Sequence, residues 1–234
     1  MLPIKTMLIG GGLGRFTRTI NIVSSATIVN VRSLANAAGY LGDRPAVLTL
    51  NLAPGVQLDA GLYFGIWPNL AHSMQLNVAG NVHGNAGIGG EGGDGTSGFD
   101  GEAGGDAIFC TIDAVINVAA TANIKGGGGG GGGGGGSFRM AGPPGEEGLQ
   151  TQIGGGGGNG WPFWSDGPGN GGAGGVNPAD PGISGTAGSA LTTGLNPWTN
   201  TPGGNYGVGG YAIRFGGRAI TVNNTGGVIA GVQA

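Results

Sequence analysis

Ile116-Asn117-Val118-Ala119-Ala120-Thr121-Ala122-Asn123-Ile124-Lys125 runs directly into eleven consecutive glycines, Gly126–Gly136. The first half alternates apolar and polar residues and is rich in β-branched side chains, the signal of a half-buried strand. The second half has no side chains at all. Such a tract is either a flexible linker or an interior element whose neighbours approach from every side. Composition decides between the two. Disordered chains are rich in charge and poor in large apolar residues. Here only 9% of residues are charged, and there are four Trp and seven Phe. Glycine, 61 of 234 residues against a usual share of about 7%, is therefore part of a packed architecture.

Outward from the tract the glycines keep a period. They fall at 89, 92, 95, 98, 101 and 104, at 142, 145 and 148, at 154, 157 and 160, at 169, 172 and 175, at 182, 185 and 188, and at 204, 207 and 210. A step of three fits neither an α-helix nor a strand. It fits an extended left-handed helix with three residues per turn and no internal hydrogen bonds. The amides and carbonyls of such a helix need partners on neighbouring chains. Collagen is one solution, and Gly142-Pro143-Pro144-Gly145 has its look. The triplets are interrupted and mostly proline-free, which argues against it. The other solution is polyglycine II, in which such helices lie side by side and bond laterally. Glycine density then predicts position. Gly126–Gly136 suits the centre, and segments with one glycine in three, such as Gly182-Ile183-Ser184-Gly185, suit the outside.

Three textures divide the chain. Residues 1–14 are apolar and aperiodic and are expected to be a docking arm. Residues 15–88 read as a β-rich attachment domain, with alternation in Arg15–Ile22, Ala46–Leu52 and Ser73–Val78. Turn signals at Gly42-Asp43, Ala53-Pro54-Gly55 and Trp67-Pro68-Asn69 separate the runs. A short helix is conceivable at Ser33–Ala38 and nowhere else. Residues 89–234 form the glycine-rich domain. The fold class expected is an all-β N-terminal region followed by a polyglycine-II helix sandwich, with essentially no α-helix. A second repeat punctuates it. Leu76-Asn77-Val78-Ala79-Gly80-Asn81-Val82 resembles Ile116–Ile124, and both resemble Ile220–Gly231. Gly104-Gly105-Asp106-Ala107-Ile108 parallels Gly209-Gly210-Tyr211-Ala212-Ile213. Each unit of the first set reads as strand, turn and short strand.

The net charge of −3 makes no case for nucleic acid. Cys110, the single cysteine, sits among Ile108, Phe109 and Ile112 and reads as a buried apolar residue. No run approaches the ~20 apolar residues of a membrane span, and no signal peptide is visible. Enzyme signals are thin. His72 and His83 each stand alone. The glycine tract lacks the Lys-Ser/Thr of a phosphate loop. Glu146 and Glu147 are adjacent, which does not place two carboxylates across a substrate. Gly89-Gly90-Glu91-Gly92-Gly93-Asp94 matches the start of a calcium nonapeptide, but no second copy follows. No enzyme, cofactor or metal is expected.

The better binding candidates are aromatic loops between glycine tracts. Trp161, Phe163 and Trp164 fall within four positions; Trp198 and Tyr206 form a second group, and Phe138 and Arg139, beside Met140, a third. Trp, Tyr and Arg are the usual interface anchors, and Pro162 and Pro197 stiffen two of the loops. Capping the bundle is the competing role for these rings.

A β-region closing in turn and strand, then glycine tracts punctuated by Ala-Ile and Val-x-Asn-Asn segments, resembles the glycine-rich C-terminal domains of phage receptor-binding proteins. The likeness is to lambda-like tail-tip fibre proteins and T-even-type tail-fibre tip adhesins, and it covers about residues 45–234. It implies a tail-tip adhesin that contacts a host outer-membrane protein or surface saccharide through loops between glycine motifs. It also implies a place in the virion, after synthesis in the host cytoplasm, without membrane insertion. Residues 1–15 would bind other phage tail proteins. Both a homotrimer and a single capping copy fit a three-fold tail. The absence of a long fibre domain before the β-region suggests a separate tip subunit. The other readings are a head fibre or decoration protein and, more remotely, an ice-binding or cell-wall glycine-rich protein.

Overall fold

The computed structural model describes residues 14–91, 98–132, 137–139, 150–152, 199–200, 204–231 and 233. Sixteen strands and one helix lie in these residues: β1 (Phe16–Ile22), β2 (Val29–Asn30), α1 (Val31–Ala37), β3 (Ala46–Leu52), β4 (Gln57–Leu58), β5 (Leu62–Tyr63), β6 (Ser73–Val78), β7 (Asn81–His83), β8 (Ile108–Phe109), β9 (Ala114–Val118), β10 (Asn123–Lys125), β11 (Ser137–Arg139), β12 (Gln150–Gln152), β13 (Thr199–Asn200), β14 (Ile213–Arg214), β15 (Ile220–Asn224) and β16 (Val228–Ala230). The described residues are nearly all β with one short helix, as the alternation led us to expect.

Thirteen of these strands wind into a three-sided parallel solenoid. One face is β1-β3-β6-β9-β15, the second β4-β7-β10-β16, and the third β2-β5-β8-β14. Each coil gives one strand to each face. The first coil is completed by a bridge from Ala26 to Leu58, and the fifth by one from Gln233 to Ile213. Every pairing in these faces is parallel. All three faces take strands from both sides of residue 88. The first glycine segment leaves the solenoid at residue 84, directly after β7 and ahead of that boundary, and the coils continue beyond it.

Parallel strands stack equal residues in columns, and the columns explain the alternation. Leu50, Leu76 and Ile116 lie one above another in register and are fully buried. Leu58, Val82 and Ile124 do the same on the second face, and Leu62, Ile108 and Ile213 on the third. Each such side chain contributes roughly 1.5–3 kcal/mol by leaving water. Facing outward, Asn21, Asn51, Asn77, Asn117 and Asn223 form a ladder through all five coils. Each Nδ2 donates to the Oδ1 of the preceding coil at 2.7–2.9 Å. The strand-turn-strand units are β6–β7, β9–β10 and β15–β16. Asn223, not Thr221, stacks on Asn117, so the last unit sits two residues further along than its sequence likeness suggests.

Corners are set by local chemistry. Ala53-Pro54-Gly55 closes a turn in which Val56 N–H donates to Ala53 O at 3.3 Å with Gly55 at φ +77°. Proline presets φ, and glycine takes the left-handed position that a side chain resists. The helix α1 fills the corner after β2. Asn30 caps it by accepting from Ser33 N–H at 3.0 Å, and Val31 and Ala35 form its buried face.

Two coils open out between the second and third faces. Register counts make the point: successive coils take 30, 26, 40 and 106 residues. In the third coil the chain leaves β7 and returns to β8; in the fourth it leaves β10 and returns to β14. The outgoing and returning stretches are the glycine segments.

Candidate functional site

Four described glycine segments lie against one another: the first over residues 84–91, the second over 98–106, the third over 126–132 and the fourth over 204–210. Their backbone hydrogen bonds step by three. From the first to the third, Gly84, Gly87 and Gly90 N–H donate to Lys125, Gly128 and Gly131 O, each at 2.8 Å. From the third to the second, Gly127 and Gly130 donate to Gly105 and Glu102 O at 2.9 Å. From the fourth to the third, Gly207 and Gly210 donate to Gly130 and Gly127 O at 2.7 and 2.8 Å. The second segment also bonds the first, through Glu102 to Ile88 O, and the fourth, through Gly101 and Gly104 to Asn205 and Val208 O. This lateral pattern is the one that orphaned amides in an extended chain require.

Sterics fix where glycine is needed. A Cβ on Gly127 or Gly130 would strike the carbonyls of Asn85 and Ile88 in the first segment. One on Gly126, Gly129 or Gly132 would strike the fourth segment at Gly210, Gly207 and Gly204. The third segment thus has close neighbours on several sides, and Gly126–Gly132 are buried throughout. The outer segments need only one bare position in three: Gly84, Gly87 and Gly90 face the second segment, and Gly204, Gly207 and Gly210 face it from the other side.

Carboxylates pin the returning segments, a feature that the sequence reading did not anticipate. Asp100 accepts from Asn205 N–H at 2.6 Å, Asp106 from Tyr211 N–H at 3.0 Å and Asp113 from Ala219 N–H at 3.1 Å. Asp106 also pairs with Arg214 at 3.3 Å. The clue lay in the parallel between Gly104–Ile108 and Gly209–Ile213, whose offset is close to that of the long coil. These acids are engaged by protein donors. Among the described residues no cluster of three His, Cys, Asp or Glu could hold a metal.

The far end of the stack, away from the solenoid, carries exposed apolar groups. Phe99 is 60% exposed and Tyr206 47%. Asp100 and Asn205 tie the two segments together there, with Asn205 Nδ2 also donating to Asp100 Oδ1 at 3.1 Å. The chain leaves this end at residues 91 and 132 and re-enters at 98 and 204. Of the aromatic candidates, Tyr206 stands on the fourth segment, exposed. Phe138 and Arg139 lie on β11, the central strand of an antiparallel sheet ordered β12-β11-β13, where Phe138 registers with Thr151 and Thr199. That sheet draws together three stretches well separated in sequence. Trp161, Phe163, Trp164 and Trp198 lie outside the described residues.

The remaining chemistry-bearing groups are built into the solenoid. His72 is 7% exposed. Its Nδ1 accepts from Ala46 N–H at 3.0 Å and its Nε2–H donates to Pro68 O at 3.0 Å, which fixes the neutral tautomer. Burial, reinforced by the nearby Arg32 charge against the pull of the Pro68 bond, holds its pKa below the ordinary histidine value. Burial does the same for His83, aided by Lys125 and opposed by Asp59. Cys110 is buried, and its thiol pKa is pushed up to about 12, so it carries no thiolate at neutral pH. Phe16, Tyr40, Trp67 and His72 pack ring to ring at one corner, with the Arg32 guanidinium 4.4 Å from the Tyr40 ring centre. None of these forms a nucleophile-base pair.

Comparison with known proteins gives one family. A family described as phage tail fibre adhesin Gp38 matches residues 17–233. Among solved structures, the chain is similar to the gp37-gp38 adhesin tip complex of the bacteriophage S16 long tail fibre, at 20% identity and a TM-score of 0.49, over 92% of this chain and 82% of that one. No curated protein matches.

Proposed function

The chain belongs to the Gp38 family of phage tail fibre adhesins, and from that premise we propose that it binds its receptor through loops at the far end of the glycine stack. A tail fibre adhesin acts in the virion at the tail, and its work is recognition of the host surface. The finer reading is that the four segments are the described part of a polyglycine-II sandwich that serves as a rigid rack. Residues 161–164, 198, 206 and 138–139 present the contact groups, and the protein catalyses nothing. The observation that supports it is the direction of the stack. Both connections of the glycine region depart from the end that bears exposed Phe99 and Tyr206, and function collects on loops held by rigid elements.

The receptor class that fits these groups is an outer-membrane protein or a surface saccharide, since aromatic faces and arginine serve both. Residues 1–15 and the first coil belong to the same reading as the attachment end, where other tail proteins bind. Three copies or one copy per fibre are both compatible with it.

The test is a double variant, Trp161→Ala with Trp164→Ala, measured for host adsorption and thermal melting. A buried aromatic anchor commonly accounts for ~2 kcal/mol or more, about thirtyfold in affinity. The expected result is a sharp fall in adsorption with unchanged melting. A variant that melts early indicates rings that cap the bundle, because large-to-small core changes cost ~3–5 kcal/mol each. One that melts and adsorbs like the parent removes this loop from the receptor site.

A further inference from the structure

The first coil of the solenoid ends in a set of unsatisfied groups that together describe an occupant. β1 is an edge strand, with β3 its one neighbour among the described residues. Phe16 N–H donates to Pro45 O and Ala53 N–H to Ile22 O. The even-numbered residues of β1 therefore bond toward β3, and the amides of Thr17, Thr19 and Asn21 point to the open edge. Such an edge is a template for another strand. Beside it lies a groove of about 510 Å³ lined by Ile20, Ile22, Val23, Ile28, Val29 and Leu34, with Val23 74% and Ile28 60% exposed.

Two polar features specify more than apolar cover. Arg18 stands in the column that Leu48 and Met74 fill in the next coils. It is exposed, as is Arg15, and neither has an ion pair among the described residues. The asparagine ladder also has a direction. Every Nδ2 donates toward the first coil, down to Asn21, whose own Nδ2 finds no acceptor among the described residues.

Resting on the reading that this end attaches the chain to its fibre, we propose that an extended, acidic segment of the tail fibre protein adds to β1 as one further coil strand. It places a carboxylate against Arg18 and Arg15 and a side-chain carbonyl on Asn21 Nδ2, and it covers Ile20 and Ile22 with apolar residues. Its main chain supplies the edge hydrogen bonds, and the two columns set its register. The other occupants fit less well. Residues 1–13, MLPIKTMLIGGGL, contain no carboxylate and no side-chain amide, and their one charged side chain is Lys5. A second copy stacked by its β15 edge presents Ile220 to Arg18 and Val222 to Ile20. That leaves the arginine unpaired, and head-to-tail stacking propagates as an open filament.

The experiment counts copies of the chain per purified phage particle for Arg18→Glu, Arg18→Lys, Thr19→Pro and a deletion of residues 2–13. Melting of each isolated protein serves as the folding control. Proline is tolerated on an edge strand while removing its outward N–H. The inference expects Arg18→Glu and Thr19→Pro to lose roughly tenfold or more in incorporation, with parental melting, and Arg18→Lys to assemble. If Arg18→Glu and Thr19→Pro assemble normally while the deletion abolishes assembly, attachment stands and the edge is not its contact, which overturns the inference. If all variants assemble normally, the attachment reading itself fails. Self-association of the free parental chain that Arg18→Glu abolishes identifies a second copy as the occupant and also overturns it.

Discussion

In the solenoid, Leu50, Leu76 and Ile116 fill a column with no exposed surface. In the glycine stack, Gly127 and Gly130 fill theirs with nothing, and the backbones of neighbouring segments meet instead. Both regions are parallel or antiparallel extended chains bonded laterally, yet the source of cohesion differs. Side chains leaving water hold the coils. In the stack, lateral amide bonds at every third residue replace them, each worth about 0.5–1.5 kcal/mol net. Ordering glycine costs more than ordering any other residue, so the stack needs an anchor. It has one, because the first and third segments continue β7 and β10, and the second and fourth run back toward β8 and β14. The lesson is that the two regions should fail in opposite directions: the solenoid when atoms are removed, the stack when they are added.

Four experiments bear on that contrast. The largest effect is expected at Phe64, fully buried in the core. Phe64→Ala should cost ~3–5 kcal/mol in urea or thermal unfolding, and a loss below ~1 kcal/mol would mean that the coils do not rest on side-chain packing. Next is Gly130→Ala, which adds one methyl against Ile88's carbonyl. It should cost ~1–3 kcal/mol as overpacking does, whereas Gly14→Ala, with open space around it, should stay within ~0.5 kcal/mol. Equal effects at the two glycines would break the comparison.

A smaller change is expected at the asparagine ladder. Asn77→Ala removes the acceptor for Asn117 Nδ2 and the donor to Asn51 Oδ1. The ladder is only partly buried, so each lost bond should cost about 0.5–1.5 kcal/mol in the same melts. The smallest effect concerns pH. Neutral His72 accepts from Ala46 N–H through Nδ1, and its pKa is depressed on folding. The unfolded chain therefore takes up the proton first. Stability should be full above the ordinary histidine pKa of about 6.5 and decline as pH falls from there toward the folded value. Melting midpoints of the parent and His72→Gln between pH 7.5 and 5 are the check. A parental curve no steeper than that of the variant would assign the pH dependence elsewhere.

Much of this architecture is legible from residues near one another in the chain. The step of three told the bare positions of the second and fourth segments, Gly101 and Gly104 and Gly204, Gly207 and Gly210, because a Cβ there collides with the backbone one segment away. On the first segment the bare positions are Gly84, Gly87 and Gly90, out of step with the run read from residue 89. The bare tract Gly126–Gly136 announced a crowded place, and its described part, Gly126–Gly132, lies buried between segments. The repeats at Leu76 and Ile116 identified strand, turn and strand. Cys110 was read as a buried apolar residue and is buried in the solenoid. Of the proposed contact groups, Phe138 and Arg139 fall on one strand and Tyr206 on an exposed segment, and no local pattern says which receptor such groups would meet.

What the sequence determined by itself was local: alternation for the strands, bare positions for the later glycine segments, and turns at Pro54-Gly55. Tertiary structure alone decided which strands are neighbours. Asn21, Asn51, Asn77, Asn117 and Asn223 become one ladder only when coils of very different length are closed. The Asp100, Asp106 and Asp113 clamps close across more than a hundred residues in the same way. The physical reason is that the entropy of closing a loop grows only slowly with its length. A coil can therefore admit a long glycine excursion at little extra cost, and nothing in the residues beside the gap records which distant strand completes the ladder.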